Sequence, residues 1–586
     1  MPRLQVMSQN RIKLLKYVVI AALGIISVRL FFIQIIEHSE WLAKADEQHT
    51  ILETIPAERG KIYMMDRDEP VAVVMNQTTY SIIIDPAVTD KSELQDALQT
   101  YAPDYISANL DEVYATEGLR YYVVAKGVPH SIATKIADKG LSSVWFQRGS
   151  GRVYLEGETA SGLLGFVNAD GLGQYGVEGS LNNLLSGKDG LLKSVSDVNN
   201  VALSIGDDNI KIPAENGQDV VLSVDRSLER GVEEITVDAV NSTVATNASV
   251  LIMNANTGEV LTMANVPNYN PADYGNVVDA SAYTNYVTEV PYEPASICKN
   301  FAFSAAINEG VMTPDTTYFN QGYEIVDDWK INNATQTSNV YGTISMRTAL
   351  YWSLNTGSIY ALKLLGGSTT DITQQGREKL YDYYYNKFRL GQPTGIELIE
   401  AIGYIEDPNE GWGRDSTYAN MTFGQNLQIT MLQTATAFSA VVNGGYWRTP
   451  SIVKGTMSAD GTINPLENTE KVEDQILTSD TSAMMREMLI HNRDYKVKDG
   501  TDKPGYDVGG KSGTAQVVVN GAYDDTYAQL IGSYIGFVAP SGEMPQYIIM
   551  TKMWGEGQSI DSGIAMDLFN SLSNYVIDYL KIKPNI

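Results

Sequence analysis

The sequence predicts an α+β protein with a single N-terminal transmembrane helix, an extended β-rich segment, and a domain in which helices flank a sheet. An apolar run covers residues 17–36, and short strand-like stretches mix with loops over residues 37–215. In residues 216–586, strand patterns stand at both ends and helical patterns lie between them. Strands that are distant in sequence and bracket helices predict one sheet covered by helices. At 586 residues the chain exceeds one ordinary core, so we expect several domains.

The composition excludes several classes of protein. A formal net charge of −28 argues against nucleic-acid binding, which requires basic patches. The single cysteine, Cys298, permits no intrachain disulfide. The four histidines are scattered, without the spacing of a zinc site. We therefore predict neither a metal nor a cofactor, and any acid–base chemistry must use residues other than histidine.

The apolar run Tyr17–Ile36 is long enough to cross a membrane. Its 20 residues would span about 30 Å as a helix, which matches one hydrocarbon core. No acidic residue occurs before Glu37, and four basic residues precede the run: Arg3, Arg11, Lys13 and Lys16. The positive-inside rule places residues 1–16 in the cytoplasm and everything after the helix outside the cell membrane.

Two features of this segment allow alternatives to a simple membrane anchor: a candidate cleavage site after the apolar run and an arginine within it. Ala43-Lys44-Ala45 offers a signal-peptidase site, although the apolar run is long for a cleaved signal. Arg29 lies inside the span, where a charge is costly. It can reach the outer interface, or it can pair with an acid on a partner's membrane helix.

The external part carries clear strand and helix patterns. Hairpins are predicted at Ser249–Asn254 with Glu259–Ala264, and at Leu530–Val538 with Gln546–Lys552. Val220–Val224 reads as a strand, and Ile344–Leu365 has a helical pattern. The C-terminal stretch predicts an amphipathic helix whose apolar face comprises Ala565, Leu568, Phe569, Leu572, Tyr575, Val576, Tyr579 and Leu580.

Three short sequence motifs contain the candidate catalytic residues, and the order in which they occur along the chain distinguishes them from chance matches. They are S-x-x-K at Ser296–Lys299, S-x-N at Ser353–Asn355, and K-S-G-T at Lys511–Thr514. A second S-x-x-K occurs at Ser451–Lys454, but no S-x-N separates it from Lys511, and Pro450 predicts an extended loop there.

The ordered set predicts a serine nucleophile that is activated by an amine. On a helix, Ser296 and Lys299 would lie one turn apart on the same face. Lys299 can take the serine proton only when it is neutral, and burial near a second cation such as Lys511 favours that form. Ser353 would relay a proton towards the leaving group, and Asn355 would bind the substrate amide.

The third string predicts an edge strand that binds substrate. Lys511–Val518 is extended in pattern, and Gly513 would let an extended substrate approach the backbone. Ser512 and Thr514 would offer hydroxyls to a terminal carboxylate. Backbone N–H groups of Ser296 and Thr514 would form the oxyanion hole. The same region, Gly505–Ser512, also matches a phosphate-binding loop, but the pattern after it is strand-like rather than helical.

With these residues in place, the chain resembles class B penicillin-binding proteins, which are DD-transpeptidases. Further matches run along nearly the whole chain: Pro56–Tyr63, Asp66-Arg67, Arg152–Tyr154, Gly165–Val167, Gly173–Glu178, Thr257–Leu261, Glu293–Ser296, Phe423–Gln425, Thr430, Gln433 and Asn443–Gly445. The sequence departs from the family pattern at Ala295, where glycine is usual, at Cys298, and at Ser512, where threonine is usual.

The resemblance implies a pedestal (dimerisation-type) domain over residues 37–215 and a penicillin-binding transpeptidase domain with an antiparallel sheet over residues 216–586. It implies acylation of Ser296 by peptidoglycan stem peptides ending in D-Ala-D-Ala, cross-linking, and covalent inhibition by β-lactams. It also implies a membrane glycan polymerase as partner, bound through the transmembrane helix and the pedestal. Ser353–Gly357 is similar to the division-type subgroup.

Two alternatives remain at this point. A DD-carboxypeptidase or β-lactamase-type hydrolase would share the acylation chemistry but would need a base for water. The only E-x-x-L-N string, Glu178–Asn182, precedes Ser296 and lies in the pedestal. A non-catalytic cell-division scaffold is the other alternative, and the complete set of motif residues counts against it.

Overall fold

A computed structural model describes residues 9–41, 50–195, 210–334, 340–411, 413–466, 471–496, 502–519, 522–523 and 529–585. The chain divides into two compact units. One contains residues up to 58 together with 187–217, and the other contains residues 59–186 and 218–586.

The strands, numbered in chain order over the described residues, are β1 (Thr50–Ile55), β2 (Ile62–Asp66), β3 (Glu69–Ile84), β4 (Tyr122–Pro129), β5 (Val144–Tyr154), β6 (Phe166–Val167), β7 (Gly173–Gln174), β8 (Gly190–Val195), β9 (Ile210–Ile212), β10 (Asp219–Asp225), β11 (Asn247–Asn254), β12 (Val260–Val266), β13 (Thr317–Asn320), β14 (Tyr323–Val326), β15 (Trp329–Asn332), β16 (Gly342–Ser345), β17 (Tyr446–Arg448), β18 (Val453–Met457), β19 (Ile463–Asn464), β20 (Glu473–Gln475), β21 (Tyr506–Gln516), β22 (Val518–Val519), β23 (Ala522–Tyr523), β24 (Leu530–Pro540) and β25 (Tyr547–Trp554).

The α-helices are α1 (Gln9–Phe31), α2 (Lys91–Tyr101), α3 (Leu110–Ala115), α4 (His130–Ala137), α5 (Ser161–Leu164), α6 (Gly176–Ser180), α7 (Asn182–Ser186), α8 (Arg226–Asn241), α9 (Lys299–Asn308), α10 (Met346–Tyr351), α11 (Asn355–Leu365), α12 (Gln374–Tyr381), α13 (Asp415–Met421), α14 (Met431–Val442), α15 (Ser479–Lys496) and α16 (Ser562–Tyr579).

The first unit contains the apolar helix and a three-stranded sheet. Helix α1 continues through a wider turn, Phe32–Ile36, and residues 13–36 are long and apolar enough to cross a membrane. Arg29 finds an acid in its own chain, because its Nη1 lies 3.4 Å from Glu37 Oε1. Strands β1, β8 and β9 pair in that order. Arg3 and the candidate cleavage site at residues 43–45 lie outside the described residues.

The second unit begins with a twisted sheet of seven strands. Six of its strands follow the order β19-β18-β10-β2-β3-β4, and β5 also pairs with β3. In the same unit, Glu178 is fully buried between two arginines, with 2.6 Å ion pairs to both Arg59 and Arg152. The domain boundary that we predict between residues 215 and 216 stays a prediction.

A five-stranded antiparallel sheet forms the centre of the remaining part, in the order β12-β11-β25-β24-β21. Strand residues alternate between its two faces. Val250 and Ile252 face the core shared with α8 and α16, whereas Leu251 and Met253 face the larger helical core. The predicted α+β class, with helices flanking an antiparallel sheet, is confirmed.

Most of the predicted elements are confirmed. The two predicted hairpins are β11–β12 and β24–β25, the Val220–Val224 strand is β10, and the C-terminal amphipathic helix is α16. The helical pattern predicted over Ile344–Leu365 is confirmed by α10 and α11, but the two helices are not continuous. Ile344 belongs to β16, and the chain breaks between α10 and α11 at Trp352–Leu354 because Ser353 has a left-handed φ of 55°.

The phosphate-loop alternative is wrong as well. Residues 506–512 lie within the 11-residue strand β21, which is paired with β24 along its whole length. A phosphate-binding loop requires a strand before it and a helix directly after it. Here the extended strand occupies the place where the loop would be.

Candidate active site

The first two motif residues meet at the start of a buried helix. Ala295–Cys298 forms a single 3₁₀ turn, here called the nucleophile turn, and α9 begins directly after it at Lys299. Lys299 Nζ lies 3.0 Å from Ser296 Oγ. Lys299 is fully buried and Ser296 is half-buried. The predicted one-turn spacing therefore brings an amine and a hydroxyl into hydrogen-bonding contact.

The nucleophile turn has an unusual backbone. Ala295 has a φ of 51°, in the left-handed region that costs an alanine about 1 kcal/mol. Its N–H donates to Gly424 O at 3.2 Å, and a Cβ on Gly424 would lie 2.1 Å from Ala295 O. The glycine that the family pattern has at this position would adopt the conformation without strain. Gly424 has no side chain where the Ala295 carbonyl lies, so the two backbone segments can approach this closely.

Ser353 also contacts the amine of Lys299. Lys299 Nζ lies 2.5 Å from Ser353 O and 3.2 Å from Ser353 Oγ. The left-handed backbone at Ser353 turns these two oxygens towards the amine. The turn is fixed on both sides, since Ser353 N donates to Leu350 O and Leu354 N donates to Ala349 O.

Asn355 stands at the start of α11, and its side-chain amide donates to Asn332 O at 2.9 Å. This bond ties α11 to β15. The next residue, Thr356, extends the same network, because its N–H donates to Asn333 Oδ1 and its hydroxyl contacts Asn320 Oδ1. Pattern reasoning missed this asparagine network, since none of Asn320, Asn332 and Asn333 belongs to a recognisable motif.

Strand β21 lies at the edge of the five-stranded sheet and contacts the nucleophile turn. Lys511 is fully buried, and its Nζ donates to Ser512 O at 2.9 Å. A Cβ on Gly513 would lie 2.4 Å from Pro294 O. Alternation places Lys511 on the same face as Gly513, which is the face towards the turn.

This contact gives Gly513 a structural role in addition to the one expected from the sequence. We expected glycine there to admit an extended substrate. The structure shows a nearer cause, because the backbone carbonyl of Pro294 already occupies the space that a side chain would need. Glycine at 513 therefore lets β21 touch the nucleophile turn.

Ser512 and Thr514 occupy the alternate positions of β21. Ser512 is half-buried and Thr514 is exposed. Thr514 Oγ1 accepts a hydrogen bond from Ser562 N, at the start of α16, at 3.2 Å. Its own hydroxyl proton remains available as a donor. The carboxylate-binding and oxyanion roles of these residues stay predictions.

Other candidates from the sequence have structural roles. Ser451 is buried and donates to Glu397 Oε1 at 2.6 Å, and Lys454 pairs with Glu259. Cys298 is fully buried, and burial raises the pKa of its thiol well above the usual range. Glu178, the glutamate of the E-x-x-L-N string, is engaged by two arginines.

Pattern reasoning also missed the surroundings of the nucleophile turn. Glu293 Oε1 accepts hydrogen bonds from Asn426 N and Tyr523 Oη, each at 2.8 Å. Gln425 Nε2 donates to Gln516 Oε1 at the end of β21, at 3.3 Å. Glu293 and Gln425 belong to strings that match the family, but the strings alone gave no contacts. Among the described residues, no cluster of three or more histidines, cysteines or acids could hold a metal ion.

Comparison with known proteins agrees with this geometry. The family model of the penicillin binding protein transpeptidase domain matches residues 248–574, more than half of the chain. The penicillin-binding protein dimerisation domain matches residues 54–222.

Relatives match over almost the whole chain. Penicillin-binding protein PbpB of Mycobacterium tuberculosis is 27% identical over 96% of this chain and 83% of its own. Peptidoglycan D,D-transpeptidase FtsI of Buchnera aphidicola is 26% identical over 97% of this chain and 94% of its own. Penicillin binding protein 3 of Mycobacterium tuberculosis, solved in complex with ampicillin, has a TM-score of 0.65 at 22% identity, over 91% of this chain and 97% of that chain. The expectation from the motifs is confirmed: this chain belongs to the class B penicillin-binding proteins.

Proposed function

We propose that this chain is a serine D,D-transpeptidase that cross-links peptidoglycan stem peptides through an acyl-enzyme on Ser296. The observation that carries the proposal is the position of Lys299 Nζ, 3.0 Å from Ser296 Oγ and 3.2 Å from Ser353 Oγ. Family membership and the relative named peptidoglycan D,D-transpeptidase support the same reaction.

In the first step, Ser296 Oγ attacks the carbonyl carbon of the penultimate D-Ala. A neutral Lys299 amine suits this step, since its lone pair accepts the serine proton while its N–H groups donate to Ser353. The C–N bond to the terminal D-Ala then breaks, and Ser353 Oγ relays the proton to the leaving nitrogen. The N–H groups of Ser296 and Thr514 stabilise the oxyanion, and Lys511 supplies positive charge nearby.

Substrate binding is assigned to the edge strand and α11. Ser512 and Thr514 offer hydroxyls to the terminal carboxylate, beside Gly513, and Asn355 binds the peptide amide. In the second step an acceptor amine attacks the acyl carbon, and Ser296 Oγ leaves and regains its proton. β-Lactams follow only the first step, so they leave a long-lived acyl-enzyme; ampicillin is bound by the related penicillin binding protein 3.

Membrane anchorage by residues 13–36 follows from a helix that is long and apolar enough to cross. For the orientation, we propose that the N-terminus is cytoplasmic and the catalytic domain extracytoplasmic, as the basic residues before the helix favour. We also propose that the helix and the pedestal contact a membrane glycan polymerase. Protease treatment of spheroplasts should digest the catalytic domain and spare an N-terminal tag, and the reverse pattern would contradict the orientation.

Labelling by a fluorescent penicillin tests the enzymatic proposal. Ser296→Ala should abolish the label. Ser451→Ala, the serine of the other S-x-x-K string, should keep it. Retention of the label in Ser296→Ala would overturn the proposal, because the acyl group would then reside elsewhere. The product formed from a D-Ala-D-Ala peptide in the presence of an acceptor amine then separates the two reactions, because transfer gives an amide to the acceptor and hydrolysis gives a free carboxylate.

A further inference from the structure

Helix α15 contacts all three segments that carry the motif residues, although none of the three motifs lies within it. It packs against α9, which starts at Lys299, against α10, which ends two residues before Ser353, and against β21, which contains Lys511. The position of α15 therefore bears on how the three motifs stand relative to one another.

The helix is itself fixed by hydrogen bonds to the end of α14. Ser482 Oγ donates to Val441 O at 2.9 Å, and Arg486 Nη1 donates to Val442 O at 2.9 Å. Leu489, one turn further along α15, is fully buried in the larger helical core. Helix α15 is thus a fixed support for the segments that pack against it.

The first of two contacts made by this support is with β21, directly before Lys511. Asn492 is almost fully buried, and its Nδ2 donates to Gly510 O at 2.6 Å. The two backbones also lie close together, because a Cβ on Gly509 would be 3.2 Å from Ile490 N. Helix α15 therefore holds the strand at the residue that precedes the motif lysine.

Strand β21 has little else to fix it at this point. It is the last strand of its sheet and pairs only with β24 among the described strands. Gly509 and Gly510 have no side chains to pack, and glycine leaves the backbone its greatest conformational freedom. The hydrogen bond from Asn492 supplies the restraint that the two glycines lack.

The stability of the fold does not explain an asparagine at position 492. Its Oδ1 is buried without a hydrogen-bond partner among the described residues. A buried acceptor without a donor is costly, so an apolar side chain in this place would avoid a penalty. What the asparagine contributes is the N–H that holds Gly510 O.

The second contact is with α10, directly before Ser353. The rings of His491 and Tyr351 have centroids 5.5 Å apart, and Glu487 Oε1 lies 2.8 Å from Arg347 Nη1. Residues four apart share one face of a helix, whereas adjacent residues are turned by about 100°. One face of α15 therefore contacts α10, and the adjacent face contacts β21.

We propose that Asn492 is a positioning residue for Lys511. Together with His491, it makes α15 the support that sets the separation between Lys511 and Ser353. This inference rests on the proposed function, in which Lys511 supplies positive charge near the oxyanion and Ser353 relays a proton. Asn492 and His491 act through the residues that precede these two groups, and neither is assigned a contact with substrate.

The test measures both the second-order rate constant and the final stoichiometry of acylation of the full-length protein by a fluorescent penicillin. Asn492→Ala should slow acylation about 10- to 100-fold, because misplacing a catalytic group by about 1 Å costs about 100-fold in rate. It should still label every chain. A variant that is only less stable would instead label a smaller fraction of chains at the wild-type rate.

Asn443→Ala is the matched control. Asn443 is also buried, and its Nδ2 donates to Ala255 O at 2.6 Å and to Tyr446 O at 2.8 Å. The control variant therefore loses more hydrogen bonds than Asn492→Ala, from a side chain that contacts none of the three motifs. It should acylate at the wild-type rate.

Two further measurements separate positioning from a general structural role. When Asn492→Ala is added to Lys511→Ala, the further slowing should stay within about threefold, because two changes that act through one group do not add. His491→Ala should slow acylation about tenfold by releasing α10. His491→Phe, which keeps a ring against Tyr351, should restore the wild-type rate.

Four results would overturn the inference: a wild-type rate for Asn492→Ala, an equal slowing by Asn443→Ala, the full slowing in the Lys511→Ala background, or equal rates in the two His491 variants. If Lys511→Ala forms no adduct, the comparison with Asn443→Ala decides. If Asn492→Ala does not fold, the two His491 variants decide. A wild-type protein that takes no label would instead refute the proposed function.

Discussion

At Gly513 the edge strand and the nucleophile turn touch backbone to backbone, so an added methyl group there should act on the reaction. In Gly513→Ala the new Cβ would lie 2.4 Å from Pro294 O, 2.8 Å from Ser533 Oγ and 3.2 Å from Ile297 Cγ1. Carbon and oxygen rest near 3.5 Å, so β21 and the turn must separate by roughly 1 Å. A displacement of that size costs about 100-fold in rate when it moves reacting groups.

The assay is the second-order rate constant for acylation by a fluorescent penicillin, together with the melting temperature. Gly513→Ala should acylate about 100-fold more slowly, with an overpacking cost of about 1–3 kcal/mol in stability. Gly275→Ala is the control, because no atom lies within 4 Å of its Cβ position. An acylation rate for Gly513→Ala within threefold of the wild type would refute the claim that this contact positions Ser296.

Other predictions concern the base, a buried ion cluster and a buried lysine. Lys299→Arg should slow acylation about 1000-fold, since arginine keeps its proton. A rate within tenfold of wild type would contradict the role of Lys299 as the base that takes the Ser296 proton. Glu178→Gln leaves Arg59 and Arg152 buried without their counter-ion and should cost about 3–5 kcal/mol, seen in urea unfolding. Burial lowers the pKa of Lys552 from 10.5 to about 7. Between pH 7 and pH 10.5 Lys552 is protonated in the unfolded state and largely neutral in the folded state. The unfolded state therefore binds more protons than the folded state, and the stability of the wild type rises with pH. Lys552→Met should therefore be more stable than wild type at pH 7, with the gain shrinking by about 1.4 kcal/mol per pH unit towards pH 10; a pH-independent difference would contradict this.

The parts of the site that the sequence predicted well are those set by local geometry. Ser296 and Lys299 lie three residues apart, and helical spacing alone brings their side chains together. Ser353 was predicted to lie beside them because the order of the three strings indicated one site. In the structure Ser353 Oγ does lie within hydrogen-bonding distance of Lys299 Nζ. The edge strand followed from the pattern around Lys511, although its bounds differ from those expected.

What the sequence could not predict depends on contacts between distant segments. The bond between Glu293 and Asn426 joins residues 133 positions apart, so no local pattern indicates it. The break after α10 was missed because the left-handed φ of Ser353 is uncommon for serine and depends on its surroundings. The reason for Gly513 was also hidden, since it depends on Pro294 lying against the strand.

Peptide mapping by mass spectrometry after incubation with penicillin tests the central claim most directly. The account predicts one adduct per chain, located on Ser296 in the peptide that precedes the Lys299 helix. An adduct on Ser353 or Ser451 instead, or a folded protein that carries none, would contradict it.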